Sequence, residues 1–250
     1  MDYSTLSMTV IFIIGIVAGF FNTIGGGGTL LVLPFLTFMG MDIALANGTN
    51  RLGVLLQSGT AAVEYGRKKV LDLKTALPLA LFSTFGSVAG TFLAINIDRR
   101  YLNLAVAAAI SFMAVLLIFR PAMWETRRES KLPKFVIFAV FFAIGVYGGF
   151  IQAGVGFFLS WGLAVAVGVD LLRGNAIKMV IVGSYNIISL AIFYKSGLVD
   201  IPVGLALAGG SMVGAVLGAK FAVAKGSSWI RWILAVVIII SASKMVMDVF

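Results

Sequence analysis

The sequence predicts an all-α polytopic membrane protein, an inverted repeat of two five-helix halves with glycine-broken short helix hairpins. Three observations predict it. Residues are 60% hydrophobic and only 12% charged, with a mean hydropathy of +1.07. A soluble domain of this length cannot hide that much apolar surface, so lipid is the solvent for most of the chain. The apolar runs form two similar sets joined by a polar linker, and each set opens on a run broken by glycines.

The first set lies in residues 1–120, read as the first transmembrane repeat. It holds Met8–Ile24, Thr29–Met41, Ala44–Tyr65, Thr75–Ile97 and Tyr101–Arg120. Residues 121–133 form a charged linker. Residues 134–250 are read as the second repeat, with Lys134–Ala153, Val155–Gly168, Leu171–Tyr194, Ile201–Val223 and Trp229–Met247. Asp42, Asp72, Asp170 and Asp200 each precede a run and read as N-caps, with Pro202 just inside the last. Glu64, beside Arg67 and Lys68, reads as a rim ion pair.

The two sets align residue by residue. "AGFFNTIGGGG" at Ala18–Gly28 matches "GGFIQAGVGFF" at Gly148–Phe158. Beyond a two-residue adjustment, Gly40 meets Gly168, Asp42 meets Asp170, Asn47 meets Asn175 and Asp72 meets Asp200. Ser83 meets Ser211, Gly86 meets Gly214 and Gly90 meets Gly218 at the same separation.

Thr29–Met41 gives about 20 Å of helix, too short for a hydrocarbon core of about 30 Å. Met8–Met41 as one helix is far too long. A hairpin of two helices that enters and leaves on one face fits, and it makes the second half inverted. Most Lys and Arg then collect on the linker's face, whereas the other face carries Arg99, Arg100, Lys195 and Lys244. The positive-inside rule puts the linker in the cytoplasm and both termini outside.

Composition also excludes functions. With no Cys and no His, disulfides, thiolate chemistry, imidazole bases and the usual zinc sites are absent. The net charge of +9 sits in short loops, a membrane-topology pattern rather than a nucleic-acid surface. Asp2 and the lack of a basic leader argue against a cleavable signal peptide. Without Cys or His an enzyme would need a Ser–Lys or carboxylate dyad, and Ser241 with Lys244 is the nearest approach.

Inverted repeats with glycine-interrupted short helices are the sequence pointer to a transporter binding site. A break inside the membrane frees the first N–H groups of the next helix, which suits an anion. Gly25, Gly26, Gly27 and Gly28 let a ligand approach bare backbone, and Thr29 adds a hydroxyl. Close helix packing is the competing account, and it is the preferred one for Gly86, Gly90, Gly214 and Gly218. Two cations, Arg51 and Lys178, stand about 10 Å deep in their helices. Intramembrane charges read as functional by default, with snorkelling or a structural ion pair as the alternative. Asn22, Asn47, Asn50, Gln57, Gln152, Asn175 and Asn186 supply amides around them.

The glycine-broken helix, its diverged copy "GFIQAGVGFF", and the helix starts "ANGTNR" and "GNAIKM" resemble the TauE/SafE family of sulfite and organosulfonate exporters. The resemblance covers nearly the whole chain. It implies a multi-pass permease of the bacterial inner membrane for small sulfur-containing anions such as sulfite, sulfoacetate or a related sulfonate. The family's glycine motif maps onto Gly25–Gly28 and, less completely, onto Gly154 and Gly156, because Phe157 and Phe158 replace two glycines. The partners expected are that anion and membrane lipid, with no nucleic acid, no cofactor and no metal; a homodimer is left open. An anion channel, or a carrier for another small anion such as a carboxylate, is the alternative.

Overall fold

The computed structural model describes residues 4–98, 100–101 and 132–247, with side chains described as far as residue 226. The expected span Tyr101–Arg120 and nearly all of the linker lie outside the described residues. Those described are all-helical. In order they are α1 (Thr5–Ile24), α2 (Thr29–Phe38), α3 (Ile43–Arg67), α4 (Leu73–Asn96), α5 (Lys134–Phe150), α6 (Val155–Trp161), α7 (Leu171–Lys195) and α8 (Ile201–Met247). Among the described residues, four segments are long and apolar enough to cross a membrane: α1, α4, α7 and the Ile201–Gly226 portion of α8. Gly226, with φ 73 and ψ −174, breaks the helical course of α8.

Helix starts follow the acidic residues. Asp42 Oδ1 accepts from the amides of Ala44 and Leu45, Asp72 Oδ1 from Lys74 and Thr75, and Asp170 Oδ1 from Leu172 and Arg173. Asp200 Oδ1 accepts from Val203 N at 3.1 Å. Each carboxylate satisfies amides that lack a partner in the first turn. Hydrogen bonds from the hydroxyl and then the amide of Thr75 hold the Asp72 carboxyl below the usual carboxylate range. Glu64 departs from expectation: it is buried, and no ion pair holds it among the described residues.

Both glycine breaks double the chain back on itself. Gly28 rests against the Ala18 carbonyl, and Leu33 and Leu36 of α2 share a cluster with Ile11 of α1. Likewise Gly148 of α5 lies against Val155, Phe158 stacks edge-on to Tyr147 at 4.9 Å, and Gly162 faces Ile144. Past Trp161 the helix widens into π-helical turns over Gly162–Val167 and stops at left-handed Gly168.

The long helices interlock across the linker. α1 packs chiefly on α8, α5 on α4, α3 on α8, α4 on α7, and α3 on α7. A Cβ on Gly15 or Gly19 would overlap the backbone of Leu207 or Ser211, and one on Gly210 or Gly214 would overlap Phe12 or Ile16. The α4–α5 pair packs in the same way: Gly145 and Gly149 lie on Ser83 and Ser87, and Gly86 and Gly90 on Phe142 and Val146. By contact, Gly86 thus matches Gly210 and Gly90 matches Gly214, one helical turn away from the sequence alignment. Lipid offers no hydrophobic drive between helices, so this close backbone approach supplies the packing contacts. The ridge glycines at Gly86, Gly90, Gly214 and Gly218 therefore serve packing, the last against Phe20 and Thr23.

Candidate functional site

The two glycine breaks meet at the centre of the bundle. Gly26 has a φ of +93, and a Cβ there would overlap the Cα of Gly156; the converse holds for Gly156. Beside this contact lies a cavity of about 20 Å³. Its wall includes Asn22, Gly26 and Thr29 from the first break, Val54 and Gln57 from α3, Gln152 and Gly156 from the second break, and Lys178 from α7. Such a space holds about one water molecule. It is too small for a sulfonate as it stands.

Lys178 is the charge at the cavity. It is 0% exposed, and its Nζ donates to Asn175 Oδ1 at 2.7 Å. An ammonium carries three donors, so one acceptor leaves it under-satisfied. No carboxylate lies within salt-bridge distance among the described residues. Asn175 is itself oriented by its Nδ2, which donates to the carbonyl of Ile24 at the end of α1. Lys178 is thus aimed by the broken helix of the other half of the chain.

Arg51 is placed elsewhere. It is also 0% exposed, but its Nη2 donates to the carbonyls of Gly148, at 3.2 Å, and Gly149. Its Nη1 reaches Asn186 Oδ1 at 3.5 Å, and its guanidinium lies 4.6 Å from the Phe193 ring centroid. Asn47 Nδ2 takes the next carbonyl, Phe150, at 2.9 Å, and the Thr91 hydroxyl also reaches Gly149. Arg51 therefore caps the C-terminal end of α5, where orphan carbonyls and the negative end of the helix dipole favour a cation. It is not part of the cavity wall. The aligned residue Met179 is.

Of the amides expected to face an anion, all but that of Gly27 have partners inside the chain. Gly25 N and Gly26 N donate to the Phe21 carbonyl. Gly28 N and Thr29 N donate to Asn22 Oδ1, at 2.7 and 3.4 Å. Asn22 caps α2 as an N-cap residue would, and its Nδ2 in turn donates to Gln57 Oε1 at 3.2 Å. Asn50 stands behind the wall, with Nδ2 3.5 Å from Thr29 Oγ1. Gly154, at φ 72, makes the second turn but does not line the cavity. Gly26, Thr29, Gln152, Gly156 and Lys178 are thus brought together, Asn50 and Asn175 support them, and Gly25, Gly27, Gly28, Gly154 and Arg51 lie outside the wall.

Asn22 and Gln57 belong to the wall although neither carries a charge or a glycine. Their signal in the sequence was an amide in an otherwise apolar helix, costly in lipid unless paired. Val54, Val155, Met179 and Val182 complete the lining and carried no signal that separates them from core.

The family described as sulfite exporter TauE/SafE matches residues 11–245. The chain is 29% identical to a probable membrane transporter protein of Haemophilus influenzae over 99% of this chain and 98% of that one. It is 29% identical to the probable membrane transporter protein ORF9 of a Sinorhizobium species, over 96% and 93% of the two chains. It is 27% identical to the probable membrane transporter protein YfcA of Escherichia coli, over 98% and 91%. No solved structure matches. The chain belongs to the sulfite exporter TauE/SafE family of membrane transporters.

Proposed function

We propose that this protein is a carrier, acting as an exporter, for small sulfur-containing anions such as sulfite or an organosulfonate. The anion binds near the membrane midplane, between two inverted repeats, in the inner membrane of a bacterium. One observation carries the reading: Lys178 is fully buried, faces the cavity, and has no acidic partner among the described residues. A buried unpaired cation is costly in lipid, and an entering anion relieves that cost. The amides of Asn22 and Gln57 and the Thr29 hydroxyl give the same space a polar lining without a competing carboxylate.

The repeat reading has its own support. Asn47 of the first half donates to Phe150 at the second break, and the aligned Asn175 of the second half donates to Ile24 at the first. Reciprocal contacts of this kind are what two halves related by a pseudo-two-fold axis produce. A small cavity between them suits alternating access, in which opening to either side admits or releases the ligand.

The test is thermal stabilisation of the purified protein by a panel of sulfite, methanesulfonate, sulfate and acetate. Stabilisation by the sulfur monoanions that saturates with concentration is expected. Stabilisation by acetate alone would move the substrate to carboxylates, and flux that never saturates would make the protein a channel.

A further inference from the structure

The side-chain amide of Gln152 is locked in one orientation, and that orientation leaves an acceptor without a donor. Asn186 Nδ2 donates to the Val182 carbonyl at 2.9 Å, a group that can only accept. Asn186 must then turn Oδ1 toward Gln152, and Gln152 meets it with Nε2 at 3.1 Å. Gln152 Oε1 has no hydrogen-bond partner among the described residues, although Gln152 is only 1% exposed. Its backbone sits at a φ of +64, which further restricts where the side chain can go.

The aligned residue shows what is unusual here. Asn22 spends its amide oxygen on Gly28 N and Thr29 N. At the second break the chain supplies its own turn: Val155 N donates to the Gln152 main-chain carbonyl and Phe157 N to that of Gly154. The Gln152 side-chain oxygen has no such work. It belongs to a residue of the cavity wall that Lys178 also lines. A buried carbonyl is rarely left unpaired in a native structure.

We infer that the ligand of this cavity is a monoanion that also carries a hydrogen-bond donor, and that Gln152 Oε1 accepts from that donor. The inference rests on the anion-binding reading of the same cavity. The anionic oxygens face Lys178 while a hydroxyl, on a sulfonate's carbon chain or on a singly protonated oxyanion, faces Gln152. An anion with acceptors alone sets oxygen against oxygen at Gln152. Sites built to hydrogen-bond a ligand hydroxyl discriminate strongly against the analogue that lacks it.

The experiment compares isethionate with propanesulfonate, which replaces the hydroxyl by a methyl group at the same charge. The full-length protein, purified in detergent, is titrated with each. Isethionate should bind at least about tenfold more tightly. Gln152→Met should bring that ratio to about one while propanesulfonate still binds. Because Gln152 occupies a left-handed conformation, Asn186→Leu gives a second route: it frees the amide to rotate and should lower the same ratio. Sulfite, titrated where its singly protonated form dominates and again where the dianion does, tests the protonated-oxyanion source; preference for the protonated form supports the inference. Equal binding of the two sulfonates by the wild type overturns the inference and leaves the anion site standing. Failure of every anion to bind, with Lys178→Met indistinguishable from the wild type, overturns the anion reading along with it.

Discussion

Gly26 and Gly156 touch backbone to backbone, so the two helix breaks of the chain form one junction. Neither residue has room for a Cβ, and Gly26 also holds a φ of +93 that side-chain-bearing residues rarely adopt. Everything the cavity offers is arranged around this contact.

Gly26→Ala and Gly156→Ala should each lower the melting temperature of the purified protein, because backbone cannot yield as a flexible side chain can. A loss of about 1–3 kcal/mol is expected for overpacking a well-packed site. Gly59→Ala is the matched control, since a Cβ at Gly59 meets nothing within 4 Å. It should be neutral or stabilise by up to about 1 kcal/mol. Equal melting temperatures for Gly26→Ala and Gly59→Ala would refute the junction.

Lys178→Met should separate stability from binding. Removing a buried, unpaired charge and keeping an unbranched apolar chain should leave the melting temperature unchanged or raise it. Sulfite affinity should fall at least about tenfold, since a hydrogen bond to a charged group contributes about 1.5–3 kcal/mol. Wild-type affinity in this variant would make Lys178 structural.

Arg51→Met should do the reverse. It strips the guanidinium from the Gly148 and Gly149 carbonyls and from Asn186. The Gly148 carbonyl loses its side-chain donor, while Gly149 keeps the Thr91 hydroxyl and Asn186 keeps Gln152, so thermal stability should drop by about 1–3 kcal/mol. Arg51→Lys should recover part of the loss, because an ammonium keeps the charge but not the planar fork. Isothermal titration of whatever folds should show a smaller affinity change than Lys178→Met.

Asp72→Ala should cost about 1 kcal/mol by removing the cap of α4. The Asp72 carboxyl is held low by Thr75, so its contribution is complete above the ordinary carboxylate value of 3.8 and is lost as the pH falls below that. Melting curves across acid pH should therefore show a shallower decline for Asp72→Asn, which keeps a capping oxygen without titrating.

The absence of native cysteine makes topology directly testable. Single cysteines at Lys69, after α3, and at Lys195, at the end of α7, should label from opposite faces of the membrane, with Lys69 cytoplasmic. Labelling of both from one face would discard the inverted arrangement.

The positions of the helices were legible in the sequence for simple reasons. Acidic caps mark the starts of α3, α4 and α7, glycine runs mark the breaks, and hydropathy over a span has only one favourable outcome in lipid. The expected Thr29–Met41 and the observed Thr29–Phe38 differ only where the last turn closes through Met39, Gly40 and Met41. Site composition was legible in part: deep Lys178 and the amides stood out because lipid penalises polar groups wherever they lie.

Which cation faces the cavity was decided by tertiary structure alone. Arg51 and Lys178 sit at nearly equivalent places in their helices, and nothing local distinguishes their roles. The difference arises across the interface, where three carbonyls at the end of α5 are met by Arg51 and Asn47. The corresponding end of α1 is met by Asn175, which turns its oxygen to Lys178. The glycine amides followed the same logic: Asn22 folds back onto Gly28 and Thr29 and uses donors that the sequence left free. Such partners come from residues far apart in the chain, so local pattern carries the need for a hydrogen bond, and only the packed bundle determines who meets it.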